Sequence, residues 1–168
     1  GGGDFANDLT LTAQWTAKSI QCDPGYYLPK GSENCNTLCP MGKYCEGGTF
    51  EYDGTAKGVT GNIAAGYYSH SGGISATPTS SGNGCIGGSS CGIVAAGYFC
   101  EGGCWSATPN DTIGGAIATG TDGCIIGKCG KVSAGYYSSG GGTSATPTGR
   151  GNGCLDTNSL NCGPVAAG

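Results

Sequence analysis

The apolar positions of this chain fall in short clusters and never in long stripes. From Asp8 to Thr16 apolar and polar residues alternate, with Leu9, Leu11 and Trp15 on one face. That period of two marks a half-buried strand. Gly-Tyr-Tyr-Ser segments and Ile93-Val94-Ala95-Ala96 read as strands of a few residues, because aromatic and β-branched side chains favour a pleated surface. Gly82-Asn83-Gly84, Thr121-Asp122-Gly123 and Gly151-Asn152-Gly153 read as tight turns, where glycine supplies positive φ. Pro78, Pro109 and Pro147 are expected to end strands or hold an extended edge, since proline donates no ladder hydrogen bond. No segment shows apolar spacing of about 3.6 residues, and glycine interrupts every stretch, so no helix is predicted. No apolar run reaches the roughly 18 residues of a membrane-spanning helix.

The clusters repeat. Ala65-Gly66-Tyr67-Tyr68, Ala96-Gly97-Tyr98-Phe99 and Ala134-Gly135-Tyr136-Tyr137 open three units, and Ala166-Ala167-Gly168 opens a fourth. The glycines at 66, 97, 135 and 168 lie 31, 38 and 33 positions apart. Within each unit Ser-Ala-Thr-Pro begins at Ser75, Ser106 or Ser144. An Asn/Asp-Gly-Cys follows at Cys85, Cys124 or Cys154, and a second cysteine at Cys91, Cys129 or Cys162 stands 6 positions before the next glycine. The middle unit carries an insertion near Asn110–Ile117, because Ser106 to Cys124 spans 18 positions where the other units span 10. Fixed offsets around variable loops describe stacked or strung modules, each too small to bury a core alone.

Composition explains what must hold such modules. Charged residues are 11% of the 168, and glycine accounts for 37 positions. Large aliphatic residues are too few for a conventional core, and ordering so much glycine is entropically expensive. There are twelve cysteines and one histidine. An even cysteine count with His70 alone points to disulfides in an oxidising, extracytoplasmic compartment. Zinc is the rival, but no C-x-x-C half-site occurs, and structural zinc normally needs two of them.

Cys100 and Cys104 occur only in the middle unit, where the flanking units have Ser69 and Gly73, or Ser138 and Gly142. Residues that appear together and vanish together bond to each other. A local scheme therefore reads Cys22–Cys35, Cys39–Cys45, Cys85–Cys91, Cys100–Cys104, Cys124–Cys129 and Cys154–Cys162. A competing scheme joins consecutive units through Cys91–Cys124 and Cys129–Cys154, leaving Cys162 for a later cysteine.

Two resemblances add to this reading. Leu11 to Thr16, Leu-Thr-Ala-Gln-Trp-Thr, resembles the closing strand of the Listeria–Bacteroides (internalin-B-type) repeat of bacterial surface proteins. Cys22-Asp23-Pro24-Gly25-Tyr26-Tyr27, with Cys35 and Cys39-Pro40-Met41-Gly42-Lys43-Tyr44-Cys45, resembles the ephrin-receptor-like and tumour-necrosis-factor-receptor-like cysteine-rich repeats. These resemblances imply extracellular, disulfide-held modules strung end to end, and they transfer no binding residues. Tyr44-Cys45-Glu46-Gly47-Gly48 echoes Phe99-Cys100-Glu101-Gly102-Gly103, which ties the two cysteine-rich regions together.

Candidate chemistry is sparse. The paired tyrosines suit packing over disulfides, with one ring of each pair facing out. Tyr67, Tyr136 and Trp105 are the candidate ligand contacts. His70 between Ser69 and Ser71 lacks a carboxylate to orient it and recurs in no other unit, so it makes a poor nucleophile–base pair. Glu46, Glu51, Asp53 and Glu101 are the carboxylates a glycosidase would need. Asp53, Asp111 and Asp122 are candidates for calcium, without EF-hand spacing. Asn110-Asp111-Thr112 is a formal glycosylation acceptor. Seven basic residues against eleven acidic ones, unclustered, give no nucleic-acid footprint.

The expected fold is a small disulfide-rich all-β chain, an elongated tandem array of short strands, turns and loops without helix. Residues 1–20 are read as a terminal strand plus linker and 21–63 as a cysteine-rich module. Repeat units follow at 64–96, 97–134 (with the inserted loop) and 135–168. The expected role is a stalk or filament-forming segment of a bacterial surface protein, at the cell surface or outside it. It would associate with itself or with neighbouring modules of a longer chain. Neither enzymatic activity, cofactor, metal, nucleic acid nor membrane span is expected. An adhesin that recognises glycan or protein through exposed tyrosines is the alternative.

Overall fold

The computed structural model describes residues 16–110 and 123–168. Residues 8–15 of the expected first strand, the inserted loop with Asp111, and the Asp122 turn lie outside the described residues. Within them the chain is all-β, with short two-stranded sheets, no helix and six disulfides.

The strands are β1 (Ser19–Cys22), β2 (Tyr26–Tyr27), β3 (Thr37–Leu38), β4 (Lys43–Tyr44), β5 (Gly48–Glu51) and β6 (Gly61–Asn62). There follow β7 (Tyr67–Ser69), β8 (Ser80–Ser81), β9 (Gly84–Cys85), β10 (Cys91–Ile93) and β11 (Tyr98–Cys100). The last are β12 (Cys129–Lys131), β13 (Tyr136–Ser138), β14 (Gly149–Arg150), β15 (Gly153–Cys154) and β16 (Cys162–Pro164).

Five antiparallel pairs share one register. The residue after a turn glycine faces the residue four before the next: Tyr26 faces Leu38, Lys43 faces Asn62, Tyr67 faces Ile93, Tyr98 faces Lys131 and Tyr136 faces Pro164. Segment 21–63 thus holds two further repeats of the same kind, opened by Gly25 and Gly42. Each glycine is the third residue of a four-residue turn with φ between +70° and +87°. The turn closes when the following N–H donates to the carbonyl three residues back, as from Tyr67 to Ala64 at 3.2 Å. This is a type II turn, whose third position requires glycine.

The units stack through backbone atoms. The turn-glycine N–H donates to a carbonyl of the next unit: Gly42 to Ser69, Gly66 to Cys100 and Gly97 to Ser138. The residue three further on donates to a second carbonyl: Cys45 to Gly73, Ser69 to Cys104 and Cys100 to Gly142. A return bond runs from Gly72 to Cys39, from Gly103 to Ile63 and from Gly141 to Val94. The same three bonds therefore recur at three successive junctions.

The core is a set of columns, one residue per unit. Three positions before the turn glycine stand Cys22, Cys39, Ile63 and Val94, all buried. Three positions after it stand Leu28, Cys45, Ser69, Cys100 and Ser138, also buried. The two buried hydroxyls are satisfied locally, Ser69 on the Ser71 carbonyl and Ser138 on the Gly140 carbonyl. At the N-terminal side Ile20, Cys22 and Leu28 pack with Cys35, Phe50 and Tyr52, under the β1–β5 pair.

The three Ser-Ala-Thr-Pro motifs fold alike. In each the serine hydroxyl accepts the threonine N–H two residues on, as between Ser75 and Thr77 at 3.1 Å. The alanine carbonyl receives an N–H from two positions before the unit's own turn glycine: Ala64 to Ala76, Ala95 to Ala107 and Ser133 to Ala145. The three prolines lie in the interior. Pro78, Pro109 and Pro147 are buried to below 2% exposure, and Pro78 and Pro147 lie against Gly84 and Gly153. The clamp turns each proline inward, so its ring fills space the missing aliphatic core would occupy. The two Asn-Gly turns join parallel strands, β8 with β9 and β14 with β15.

Candidate functional site

The sulfur chemistry is closed. Disulfides join Cys22–Cys35, Cys39–Cys45, Cys85–Cys91, Cys100–Cys104, Cys124–Cys129 and Cys154–Cys162, and no cysteine is free. The last four bonds each lie within one strand pair or its connecting loop, whereas Cys22–Cys35 and Cys39–Cys45 each cross a turn glycine to the neighbouring pair, and none links Cys91 to Cys124 or Cys129 to Cys154. Six disulfides place the chain in an oxidising environment. Cys104, Cys124 and Cys129 bring their sulfurs within 4.8 Å of one another, all buried. Two disulfides already use those sulfurs, so none is a thiolate available to a metal. Tyr68 and Val94 pack against this sulfur cluster of the next unit.

The aromatic position two residues after each turn glycine forms a second column of Tyr27, Tyr44, Tyr68, Phe99 and Tyr137. Parallel bridges Tyr44–Gly73, Tyr68–Cys104 and Phe99–Gly142 lock it to the following unit. Of the candidate ligand contacts, Tyr67 and Tyr136 are half-buried. Trp105 is only 3% exposed, so its indole belongs to the interior and presents no stacking face; it follows the buried Cys104 directly in the chain. Tyr137, the other ring of the Tyr136 pair, is 39% exposed.

The remaining candidates are dispersed. His70 is exposed, and its N–H donates to the Ser90 carbonyl. Glu101 accepts the Lys128 N–H at 2.7 Å and latches its own loop. Asp53 accepts the Thr55 hydroxyl and N–H and pairs with Lys57 at 3.0 Å. The Thr55 bonds, with Lys57 adding to them, hold its carboxyl well below the usual range. Of Glu46, Glu51, Asp53 and Glu101, the last two are thus engaged in local loops.

A surface depression of about 510 Å³ is lined by Arg150, Asp156, Asn158, Leu160 and Asn161. Arg150 and Asp156 neutralise each other there at 3.2 Å. Neither a nucleophile–base pair nor a pair of facing carboxylates lines it. What the described residues build most consistently is therefore a surface of backbone donors and acceptors that one unit offers the next. No protein-family model, curated protein or solved structure matches the chain.

Proposed function

We propose that the chain is a structural segment of an extracellular protein, a disulfide-stapled stalk or filament-forming array. The observation that carries this reading is the recurrence of the same three backbone bonds at three successive junctions. Backbone bonds tolerate sequence change in the loops, so such a stack can be lengthened by repetition. Disulfides between residues close in the chain reduce the dependence of the units on an aliphatic core. The surface ion pairs Lys18–Glu33, Lys57–Asp53 and Arg150–Asp156 add little to stability. The bacterial cell surface enters this proposal through the likeness at Leu11 to Thr16 alone.

Electron microscopy and sedimentation of the purified chain test the proposal. A structural array forms ordered side-by-side multimers without added ligand. A monomer that is retained on a glycan or host-protein surface, and loses retention on Tyr67→Ala or Tyr136→Ala, would be an adhesin and would overturn it.

A further inference from the structure

Among the described units, the last one leaves its junction face uncovered. Burial of the turn glycines changes along the chain: Gly25, Gly42 and Gly66 are buried, Gly97 is half-buried and Gly135 is exposed. The apolar column behaves alike. Val94 is fully buried, Val132 half-buried and Val165 58% exposed. The reason is that each unit is covered by the next two. A Cβ built on Gly25 would stand 3.1 Å from the Gly72 carbonyl oxygen, and one on Gly66 would stand 2.9 Å from that of Gly141. Each of these partners belongs to the unit after next. Gly97 and Gly135 meet nothing within 4 Å.

The polar groups of the junction are left over in the same place. Ser139 donates its N–H to the Asn161 carbonyl, so strand alternation turns the Ser138 N–H outward, where Ser69 and Cys100 make their bonds to the following unit. The Gly135 N–H and Val132 carbonyl likewise stand where Gly97 and Val94 bond onward. One face thus combines two outward donors, one outward acceptor and the uncovered Tyr137 and Val165, in the geometry used at three internal junctions.

We propose that this face docks one further repeat of the same class, joined through Gly168. Val165 sets the register, because its N–H donates to the Gly135 carbonyl at 2.8 Å just as Val132 donates to Gly97 and Val94 to Gly66. Gly168 then takes the turn position. The incoming unit offers carbonyls at its third and seventh residues after that glycine and an N–H at its sixth. A second copy of the chain is not the occupant. Two of the three corresponding groups of the first unit are already engaged, the Leu28 carbonyl by the Lys57 N–H and the Gly31 N–H by the Gly54 carbonyl. The proposal rests on the junction geometry and stands independently of the stalk reading.

The test is amide hydrogen exchange on the full chain, alone and extended beyond Gly168 by a copy of the 136–168 sequence. In the unextended chain Gly135 and Ser138 exchange faster than Gly97 and Cys100. Equal protection would mean the face is not open and would end the proposal. In the extended chain Gly135 and Ser138 slow by about 100-fold, the scale of a locally ordered element. Unchanged rates would overturn the docking. An extension whose copies of Gly141 and Gly142 are valine gives no protection, since valine cannot make the close approach. Protection by that variant would overturn the register. Slowing in the unextended chain as concentration rises would make a second copy the occupant and overturn the assignment.

Discussion

Leu155 lies over Gly66, close enough that a Cβ on the glycine would stand 2.9 Å from Leu155 Cγ. The two residues belong to units that are not sequence neighbours in the stack, so the glycine serves both its own turn and the unit after next. Gly66 and Gly135 have nearly the same φ, +83° and +86°, yet nothing lies within 4 Å of a Cβ on Gly135. Replacing Gly135 by alanine costs the left-handed conformation alone, about 1–2 kcal/mol. Gly66→Ala adds overlap with Leu155 and with the Gly141 carbonyl, raising the loss to roughly 3 kcal/mol or more. Denaturant unfolding of the oxidised proteins measures the difference, and equal losses would show that the second-neighbour contact has no energetic weight.

The Cys100–Cys104 bond occupies positions held by serine and glycine in the flanking units. Cys100 nevertheless makes the same backbone bond to Gly142 that Ser69 makes to Cys104. A Cys100→Ser, Cys104→Gly double variant therefore folds with its junction intact and loses about 2 kcal/mol, the chain-entropy worth of so short a loop. Cys124→Ala alone also loses that contribution and leaves Cys129 as a buried thiol beside Cys104, free to exchange with the Cys100–Cys104 bond. Non-reducing peptide mapping of the two variants separates the outcomes: one clean set of five bonds for the double variant, mixed pairing for the single.

Asp53 offers the pH-dependent element. Its carboxyl is held low by the Thr55 bonds first and by Lys57 after them. A group whose folded value is depressed contributes stability above its ordinary range and loses it as pH falls through the folded value. Because the group is on the surface, the effect is local to the 53–57 loop. Carboxyl NMR should find Asp53 still ionised at about pH 3, where ordinary aspartates are mostly protonated. Thr55→Val should return Asp53 towards the ordinary range with little change in global stability.

Much of this architecture is local and therefore legible in the chain. The turn at Gly66 needs positive φ, the bond from Cys85 to Cys91 spans six positions, and neither depends on distant residues. Strand type follows from the Tyr-Tyr and Ile-Val clusters for the same reason. The two repeats opened by Gly25 and Gly42 are harder to see. Their loops are short, and cysteine stands at positions 22 and 39 where later units have isoleucine or valine, so one column changes its chemistry midway. Only the spacing to the next glycine, three positions in every case, betrays it. Trp105 misleads for a different cause. An aromatic in a glycine-rich loop reads as surface, and only the clamp between Ala107 and Ala95 and the covering unit turn it inward.

Reduction should proceed in a set order. Thiol–disulfide exchange requires the attacking thiolate to reach a sulfur along the bond, so access governs the rate in folded protein. Eleven of the twelve cysteines are buried, and the exception is Cys35, which packs at the margin of the Ile20, Cys22 and Leu28 cluster. Cys22–Cys35 is then the first bond opened by a phosphine or thiol under native conditions. Its loop is also the longest, with a separation of 13 positions, so its opening releases more chain entropy than any other. Timed native reduction with alkylation and mass spectrometry should label Cys22 and Cys35 well before Cys85, Cys124 or Cys154. Those later sites should react only at the rate of unfolding. Simultaneous labelling of all six pairs would mean that the units open together, and that burial in the columns does not shield the sulfurs.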